Sequence, residues 1–274
     1  MTSAKVTDME WWKKLTSGNA AQPVSSSVYA RESDHVAELI VRRAQIKSSD
    51  RLLDAGCGDG NGAMALAVRG FSNITAIDQS RFHVAVARQR ALRRGLRVSF
   101  VEGDPRHCPF PDGSFDAVTI CGNAFGCTED PRDDTEFLRE ALRLLRPLGA
   151  LVLSIVDGDW LCQHYQPDMV ETLARGIIYR RRDLSDDGTC LTTHEVVADQ
   201  DSGLSTEHAS VERLYTQGQL TTLLHLVGFK AISFDQQASW HGANDLIVPR
   251  YFITCRAADS CGVATPGAVM ARSA

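Results

Sequence analysis

The sequence contains no apolar run that approaches the roughly 20 residues of a membrane-spanning helix. Its first residues, MTSAKVTDMEWWKKL, also lack the apolar core of a secretory signal peptide. None of the eight cysteines forms a C-x-x-C pair, and most of them lie within or beside apolar stretches. These absences favour a cytoplasmic protein with reduced, buried thiols, no metal site and no membrane partner.

Basic residues are also in short supply, because 29 Lys and Arg face 34 Asp and Glu, for a net charge of −5. A mildly acidic chain is a poor general ligand for phosphate backbones, which argues against nucleic acid as the partner. Hydrophobic residues make up 43% and charged residues 23%, a composition that excludes disordered and fibrous classes. The 274 residues suit one domain with an elaborated insertion. A small-molecule ligand is therefore expected, and a homodimer is left open.

What the chain does have is a regular alternation of apolar runs and helical segments from residue 51 onward. Five runs are typical of strands, namely RLLDAG, NITAID, RVSFVEGD, FDAVTICG and LGALVLSIV, and FKAISFDQQ and PRYFITCRA follow near the end. The apolar runs are nearly continuous rather than alternating, as in a parallel sheet covered on both faces. The pattern predicts an α/β fold with a doubly wound, mostly parallel seven-stranded sheet.

The alternation of strands and helices stops after Val156. Residues 157–170 have an irregular pattern, and three strand-like runs follow, RGIIYRRRDL, CLTTHEVVAD and LSTEHASVERLY. DDG and DSG turns separate these runs. We therefore predict an antiparallel meander inserted at 157–216, which forms a lid over the bound ligand together with the N-terminal segment and determines substrate choice. An oligomer interface is left open as the other role of the insertion.

The two ends of the chain are predicted to add a cap and a tail to a main domain at 51–256. The N-terminal segment, 1–50, contains the stretch SSSVYARESDHVAELIVRRA, whose apolar positions fall on one face of a helix. Ser33 or Asp34 is expected to cap this helix. The last residues, 257–274, are small and polar and are expected to form a flexible tail.

The most informative segment is LLDAGCGDG at 52–60, which ends the first strand and opens a helix. Glycines there let the backbone approach a ligand without clashes from Cβ atoms. A dinucleotide fingerprint, G-x-G-x-x-G, would need a third glycine where Asn61 stands. Asp54 at the strand end would repel a pyrophosphate, and it suits a ligand that carries an ammonium and a sulfonium, such as S-adenosylmethionine.

Five motifs in register resemble those of class I S-adenosylmethionine-dependent methyltransferases that act on small molecules. DAGCGDG is similar to the first motif of that family, and Asp78 ends the second strand 22 residues after Gly56. EGD at 102–104 ends the third strand, and CPFPDGSFDAVTICGNAFG resembles the stretch through the fourth. LREALRLLRPLGALVLS is similar to the helix and turn before the fifth strand. The resemblance covers residues 31–156 by motif and 217–256 by topology.

The resemblance implies that S-adenosylmethionine is the cofactor and S-adenosylhomocysteine the product. Asp78 would hold the ribose hydroxyls, because a carboxylate can accept two hydrogen bonds at once. Asp104 would contact the adenine amino group, Cys121 would lie near the methionine tail, and Tyr29 or Arg31 would face the ligand carboxylate. The predicted cofactor-binding residues are Tyr29, Arg31, Asp54, Gly56, Gly58, Asp78, Gln79, Asp104, Arg106 and Cys121.

Two positions depart from the family pattern. Pro105 follows Asp104 and has no N–H to donate to adenine, so the N–H of Arg106 or a water is expected to take its place. Leu148 replaces the first glycine of the usual turn before the fifth strand, and no functional consequence is expected. Both departures lie in loops that lead into or out of the predicted sheet.

The predicted activity is transfer of a methyl group to a metabolite or natural product by in-line displacement. The segment CGNAFG after the fourth strand differs from the Asn/Asp-Pro-Pro-aromatic motif, which argues against nucleobase and glutamine amide acceptors. His164 and His241 are candidate general bases, because histidine titrates near neutral pH. The arginine run at 180–182 could bind an anionic acceptor, although a solvated strand edge is the simpler interpretation.

Three other functions stay open at this point. They are an RNA or protein methyltransferase, a non-catalytic S-adenosylmethionine-binding protein and a nicotinamide-dependent oxidoreductase. The acceptor atom does not follow from these residues.

Overall fold

The structure is a computed structural model of the chain. It describes residues 26–122, 124–128, 130–173, 176–199, 205–235, 239–241 and 247–259. No helix within these ranges is long and apolar enough to cross a membrane. The predicted tail lies, from residue 260 onward, outside the described residues, and so do the first 25 residues of the predicted cap.

Six helices and two sheets occupy the described ranges. The helices are α1 (Ser26–Arg43), α2 (Asn61–Val68), α3 (Arg81–Arg93), α4 (Pro131–Leu144), α5 (Gly158–His164) and α6 (Gln217–Val227). The strands of the main sheet are β1 (Leu52–Ala55), β2 (Ile74–Asp78), β3 (Ser99–Glu102), β4 (Phe115–Ile120), β5 (Leu145–Val156), β10 (Lys230–Asp235), β11 (Ser239–His241) and β12 (Ile247–Arg256). The second sheet has β6 (Asp168–Leu173), β7 (Gly176–Leu184), β8 (Cys190–Asp199) and β9 (Ser205–Arg213).

The main sheet confirms the predicted doubly wound topology. Its strand order is β10-β12-β5-β4-β1-β2-β3, and β1 to β5 run parallel. β12 runs antiparallel to both β5 and β10, and the short β11 pairs with the start of β12. The chain winds outward from β1 to β3 and returns to β4 on the other side of β1. Ligands of such folds bind outside the carboxyl ends of the strands at this point.

The apolar core lies in two layers, one on each face of the main sheet. Every residue of β1 is buried, and its alternate side chains point to opposite faces. Leu53 belongs to the layer under α4 and α6, whereas Leu52 belongs to the layer under α1, α2 and α3. Burial on both faces explains why this strand is continuously apolar in the sequence.

The first helix begins earlier than its predicted caps. α1 starts at Ser26, so Ser33 and Asp34 lie inside the helix and cannot cap it. Asp34 instead forms an ion pair at 3.0 Å with Arg69 at the end of α2. The helical prediction for this segment was correct, but the cap assignment was wrong because the helical pattern extends into the preceding serine-rich stretch.

The antiparallel sheet is inserted where the sequence predicted it, between β5 and α6. It has four strands rather than three, in the order β6-β7-β8-β9. The segment predicted to be irregular, 157–170, contains α5 and the start of β6. Asp157 caps α5 by accepting a hydrogen bond from Trp160 N at 2.9 Å. These elements were missed because both are short, with seven and six residues.

The insertion joins the main sheet at the carboxyl end of β5. Gly158 N donates to Tyr215 O at 3.2 Å, and a Cβ on Gly158 would lie 2.7 Å from the same oxygen. Val156 packs with Leu191 and Leu214 in a separate apolar cluster. The insertion is therefore packed against the end of the sheet at which the glycine loop lies.

Candidate cofactor and acceptor site

The loop between β1 and α2 turns through three left-handed glycines. Gly56, Gly58 and Gly60 have φ angles of 76°, 53° and 80°, which residues with a Cβ rarely adopt. A Cβ on Gly56 would lie 2.5 Å from the Cβ of Ala124, in the loop after β4. At Gly58, no atom of the described residues lies within 4 Å of the corresponding position. The loop is thus closed by protein on one side and open on the other.

Asp78 ends β2, and its carboxylate links the glycine loop to the next helix. Oδ2 accepts a hydrogen bond from Gly58 N at 2.8 Å, and Oδ1 accepts one from Ser80 N at 2.9 Å. Each carboxylate oxygen has a further lone pair, so Asp78 can still accept hydrogen bonds from two hydroxyl groups. Its side chain is half-buried, whereas Gln79 is exposed. Among the predicted residues, Asp78 and Gly58 are therefore in direct contact.

Asp54 lies beneath the glycine loop. Its side chain is buried, and Oδ1 accepts a hydrogen bond from Thr119 Oγ1 at 3.0 Å. A Cβ on Gly62 would lie 3.2 Å from Asp54 Oδ2, so the first turn of α2 passes close to the carboxylate. Burial raises the pKa of Asp54 to about 6, although hydrogen bonds from Thr119 and Ala63 N oppose the shift. Asp54 thus supports the backbone of the loop, and its role toward charged ligand groups stays a prediction.

Asp104 follows β3 and is paired with Arg106. The guanidinium donates to both carboxylate oxygens at 2.8–3.2 Å, and Arg106 N donates to Oδ1 at 2.9 Å. Burial tends to raise the pKa of Asp104, but the hydrogen bonds from Arg106 outweigh it and the pKa is lowered. Arg106 also contacts Asp133 on α4 at 2.6 Å. The backbone N–H of Arg106, which was expected to serve where Pro105 has none, is therefore already hydrogen-bonded to Asp104. It could reach adenine only if this turn opened.

Cys121 follows β4 and begins the loop that contacts the glycine loop. It is half-buried, and the carbonyl of the next residue, Gly122, accepts a hydrogen bond from Arg250 Nη2 at 2.5 Å. Arg250 is buried in β12 and also donates to Ser154 O at 3.0 Å. Sequence reasoning missed this cation, although a lone arginine within the apolar run PRYFITC was a signal. Arg250 holds the ends of β4, β5 and β12 together at the carboxyl edge.

A second group missed by sequence reasoning holds the middle of the same loop. Asp134 on α4 is buried and accepts hydrogen bonds from Gly126 N at 3.2 Å, from Tyr215 Oη at 2.6 Å and from Arg213. Arg213, at the end of β9, donates from N to Gly126 O at 2.7 Å and from Nη2 to Thr128 O at 2.9 Å. We call Asp134, Arg213 and Tyr215 the Asp134 network. It ties the antiparallel sheet to the loop after β4.

Of the two candidate bases, the structure describes the side chain of His164. It is exposed, its Nδ1 lies 2.9 Å from Trp160 O, and its ring stacks on Trp160 with centroids 4.3 Å apart. A proton on Nδ1 satisfies this contact and leaves Nε2 as an acceptor. His241 lies in β11, but its side chain is outside the described residues, as are those of Tyr29 and Arg31 in α1. The roles of these residues stay predictions.

The seven cysteines in the described ranges are free thiols. Burial raises the pKa of Cys108 and of Cys255 to about 12, so both are protonated at neutral pH. Within the same part of the chain, no three His, Cys, Asp or Glu side chains come together as metal ligands would. Cys261 lies outside the described residues.

Sequence comparison identifies relatives of the main domain. A family model described as a methyltransferase domain matches residues 52–149. The demethylmenaquinone methyltransferase of Thermus thermophilus is 41% identical over 108 residues, which are 39% of this chain and 47% of that protein. The demethylmenaquinone methyltransferase of Clavibacter sepedonicus is 30% identical over 187 residues, 68% of this chain and 67% of that protein. The chain spans about half the length of the curated relatives that match it first.

Comparison of the folds agrees with these matches. The crystal structure of an S-adenosylmethionine-dependent methyltransferase from Clostridium acetobutylicum superposes with a TM-score of 0.69 at 18% identity. The superposition covers 91% of this chain and 97% of that one. This likeness shows the Rossmann-like fold, and the match at 30% identity across two thirds of the Clavibacter relative shows that the chain belongs to the S-adenosylmethionine-dependent methyltransferases.

Proposed function

We propose that the protein transfers a methyl group from S-adenosylmethionine to a small-molecule acceptor. The observation that carries the proposal is the carboxylate of Asp78, which binds Gly58 N at 2.8 Å and keeps lone pairs for two hydroxyl groups. The open space at Gly58 lies beside it, where the ribose of an adenosyl ligand would fit. These features of the binding loop fit the cofactor of the family.

The other predicted contacts follow the carboxyl edge of the sheet. Asp104 would accept a hydrogen bond from the adenine amino group, since its carboxylate is held in the charged form by Arg106. Cys121 would lie near the methionine tail, at the end of β4. Asp54 places a buried carboxylate under the glycine loop. Such a charge disfavours a pyrophosphate, and this argues against the nicotinamide alternative.

When bound, S-adenosylmethionine would supply an activated methyl group, whose carbon would bond to the acceptor nucleophile as the carbon–sulfur bond breaks and S-adenosylhomocysteine leaves. The residues of the chain then have to align the acceptor and exclude water, and alignment can supply about 7–11 kcal/mol of the barrier. A general base is needed only for an acceptor that is protonated at the working pH. His164 has a free Nε2 for this purpose, and His241 remains the second candidate.

The acceptor is proposed to bind between the loop after β4 and the antiparallel sheet. The Asp134 network joins these two parts, so an acceptor held by the sheet would keep a fixed position relative to the glycine loop. Both curated relatives described above are named for demethylmenaquinone, which supports a small acceptor over RNA or protein. A cytoplasmic location is part of this proposal, and the oligomeric state is left open.

The proposal can be tested with methyl-labelled S-adenosylmethionine in a bacterial extract that is separated into small molecules, RNA and protein. We expect label in the small-molecule fraction, and we expect Asp78→Asn to lose it. Label in RNA or protein would replace the small acceptor with one of the alternatives. Tight binding of S-adenosylhomocysteine without any labelled product would point to a non-catalytic binding protein, and binding of NAD instead would point to an oxidoreductase.

A further inference from the structure

The arginine run at 180–182 is divided between the two faces of the antiparallel sheet. All three residues lie on β7, where successive side chains point to opposite faces. Arg180 forms an ion pair with Glu195 at 2.6 Å. Arg181 is exposed on the opposite face, whereas Arg182 is half-buried on the same face as Arg180. The three arginines therefore have different environments. The interpretation as a solvated strand edge was wrong, because β7 is paired with both β6 and β8, and only Arg181 is exposed.

The face that carries Arg182 is turned toward the carboxyl edge of the main sheet. Leu184 and Leu191 are cross-strand partners, and both pack in the apolar cluster that contains Val156. Val156 is the last residue of β5. Arg182 stands two residues before Leu184, so its side chain leaves the sheet on the same side. Arg182 and its cross-strand partner Thr193 thus form the next row of side chains on this face, beside the row of Leu184 and Leu191.

The guanidinium of Arg182 is only partly satisfied by the protein. Its Nε donates to Gln166 O at 3.1 Å, and among the described residues no carboxylate forms an ion pair with it. Burial lowers the pKa of Arg182, and the nearby charge of Arg180 lowers it further, whereas Tyr165 and Glu212 oppose the shift. A desolvated cation is unfavourable unless further acceptors reach it. A bound anion would supply such acceptors.

The neighbours of Arg182 define the shape of this anion. Thr193 is its cross-strand partner and Ser210 is the partner of Thr193, so two hydroxyl groups lie in the same row as the guanidinium. The adjoining row holds Leu184 and Leu191, with Trp160 packed against them, and it ends at Glu212 on β9. A ligand that paired with Arg182 and covered Trp160 and Leu184 would have an acidic group attached to an apolar body.

We propose that Arg182, with Thr193 and Ser210, binds the carboxylate of an apolar acid, and that this acid is the methyl acceptor. The inference rests on the proposed function, because it names the acceptor class of that same site. Arginine suits the role, since its planar fork can donate two parallel hydrogen bonds to one carboxylate. Arg182 would determine which acceptor binds, and it would leave the cofactor contacts unchanged.

Benzoate and its neutral amide, benzamide, are suitable probes for calorimetric titration of the protein saturated with S-adenosylhomocysteine. We expect benzoate to bind and benzamide to bind much more weakly. Arg182→Gln should weaken benzoate binding about tenfold or more, because a charge-assisted pair is lost. Arg181→Gln is the matched control, since it removes the same charge from the opposite face, and it should retain the affinity of the wild type. Both variants should bind S-adenosylhomocysteine normally.

Several outcomes would overturn the inference. The wild type could fail to bind benzoate, or Arg182→Gln could leave its affinity unchanged, or Arg181→Gln could weaken it as much. Inorganic phosphate that bound as tightly as benzoate would show that Trp160 and Leu184 do not contribute to binding. Each of these results leaves the proposed function standing as long as S-adenosylhomocysteine binds. Loss of that binding in the wild type would instead remove the proposed function itself.

Discussion

At the scale of single residues, the two acids at the glycine loop differ in burial and in hydrogen-bond partners. Asp78 is half-buried and accepts backbone N–H groups from two loops, while retaining lone pairs toward the open side. Asp54 is buried under the loop, and its hydrogen bonds come from Thr119 and Ala63. Motif reasoning assigned both to the ligand, but their environments predict different experimental behaviour.

Replacement of Asp78 by Asn should weaken binding of S-adenosylhomocysteine about 10- to 100-fold, because hydrogen bonds to a charged acceptor are lost. The amide of the asparagine would also direct N–H groups toward Gly58 N, which is itself a donor and cannot accept a hydrogen bond. Calorimetric titration measures this change directly. Asp186→Asn is the matched control, since it makes the same change at an exposed carboxylate between β7 and β8, and equal losses in both variants would contradict the assignment.

Asp54 should make the stability of the protein depend on pH in a defined window. Its folded-state pKa of about 6 is higher than the value of about 4 in an unfolded chain, so the folded state binds more protons between those values. Stability is therefore favoured at low pH, falls as the pH rises from about 4 to about 6, and stays constant above. The loss attributable to Asp54 is roughly 3 kcal/mol, from two pKa units.

The Asp54→Asn variant tests this contribution. We expect its free energy of unfolding in urea, measured from pH 4 to pH 7, to lack this fall. The difference in unfolding free energy between the two proteins should therefore change by roughly 3 kcal/mol as the pH rises from about 4 to about 6. The difference between the proteins is the informative quantity, because other groups titrate in both. Two curves that stay parallel across the window would show that Asp54 does not titrate there.

At the scale of elements, the Asp134 network joins α4, β9 and the loop after β4. The side chains of Arg213 and Asp134 are only 14% and 4% exposed. Arg213→Met would leave a buried carboxylate without its cation, and this should cost about 3–5 kcal/mol of folding free energy. Urea unfolding measures the loss. Arg132→Met is the matched control, because its pair with Asp130 is at the surface, and its stability should stay near that of the wild type.

The double variant Asp134→Asn/Arg213→Met separates the ion pair from the packing around it. Removal of both charges eliminates the unpaired group, so most of the lost stability should return. Tyr215 can still donate to an amide oxygen at position 134, which keeps one bond of the network. If the double variant were as unstable as Arg213→Met alone, the loss would come from packing rather than from the buried charge.

Sequence reasoning succeeded for elements whose pattern is long and continuous. β4 and β5 are buried on both faces, and their apolar runs marked them as central strands. α5 and β6 were missed because each is short and partly polar, so tertiary pairing rather than local pattern determines them. Leu148, at the position where the resemblance implies a glycine, adopts a left-handed φ of 60°, which residues with a Cβ adopt rarely.

At the scale of the whole molecule, the site is assembled by residues that are far apart in the sequence. The glycine loop and Asp78 carry recognisable motifs, so their positions could be predicted. Arg250 and the Asp134 network carry none, because each depends on contacts between β12 or β9 and the loop after β4. Such contacts become visible only when the antiparallel sheet is packed against the carboxyl edge.

This assembly predicts that ligand binding is felt beyond the glycine loop. Ala124 would clash with any Cβ on Gly56, and Gly126 is bonded to Arg213 N at 2.7 Å. S-adenosylhomocysteine at 100 times its Kd should therefore slow amide hydrogen exchange up to about 100-fold at Gly58, at Gly126 and at Arg213, where opening requires ligand release. The amide of Asp50, in an exposed turn at the opposite edge, is the internal reference and should not change.

The double variant Asp134→Asn/Arg213→Met shows whether the network carries this effect. With the ion pair removed, Gly58 should still be protected by the ligand, because its bond to Asp78 is intact. At residue 213, at the end of β9, amide exchange should speed up toward the rate measured without ligand. Equal protection at residue 213 in both proteins would mean that the antiparallel sheet responds to the ligand through direct contact instead. The acceptor surface would then be positioned independently of the loop after β4.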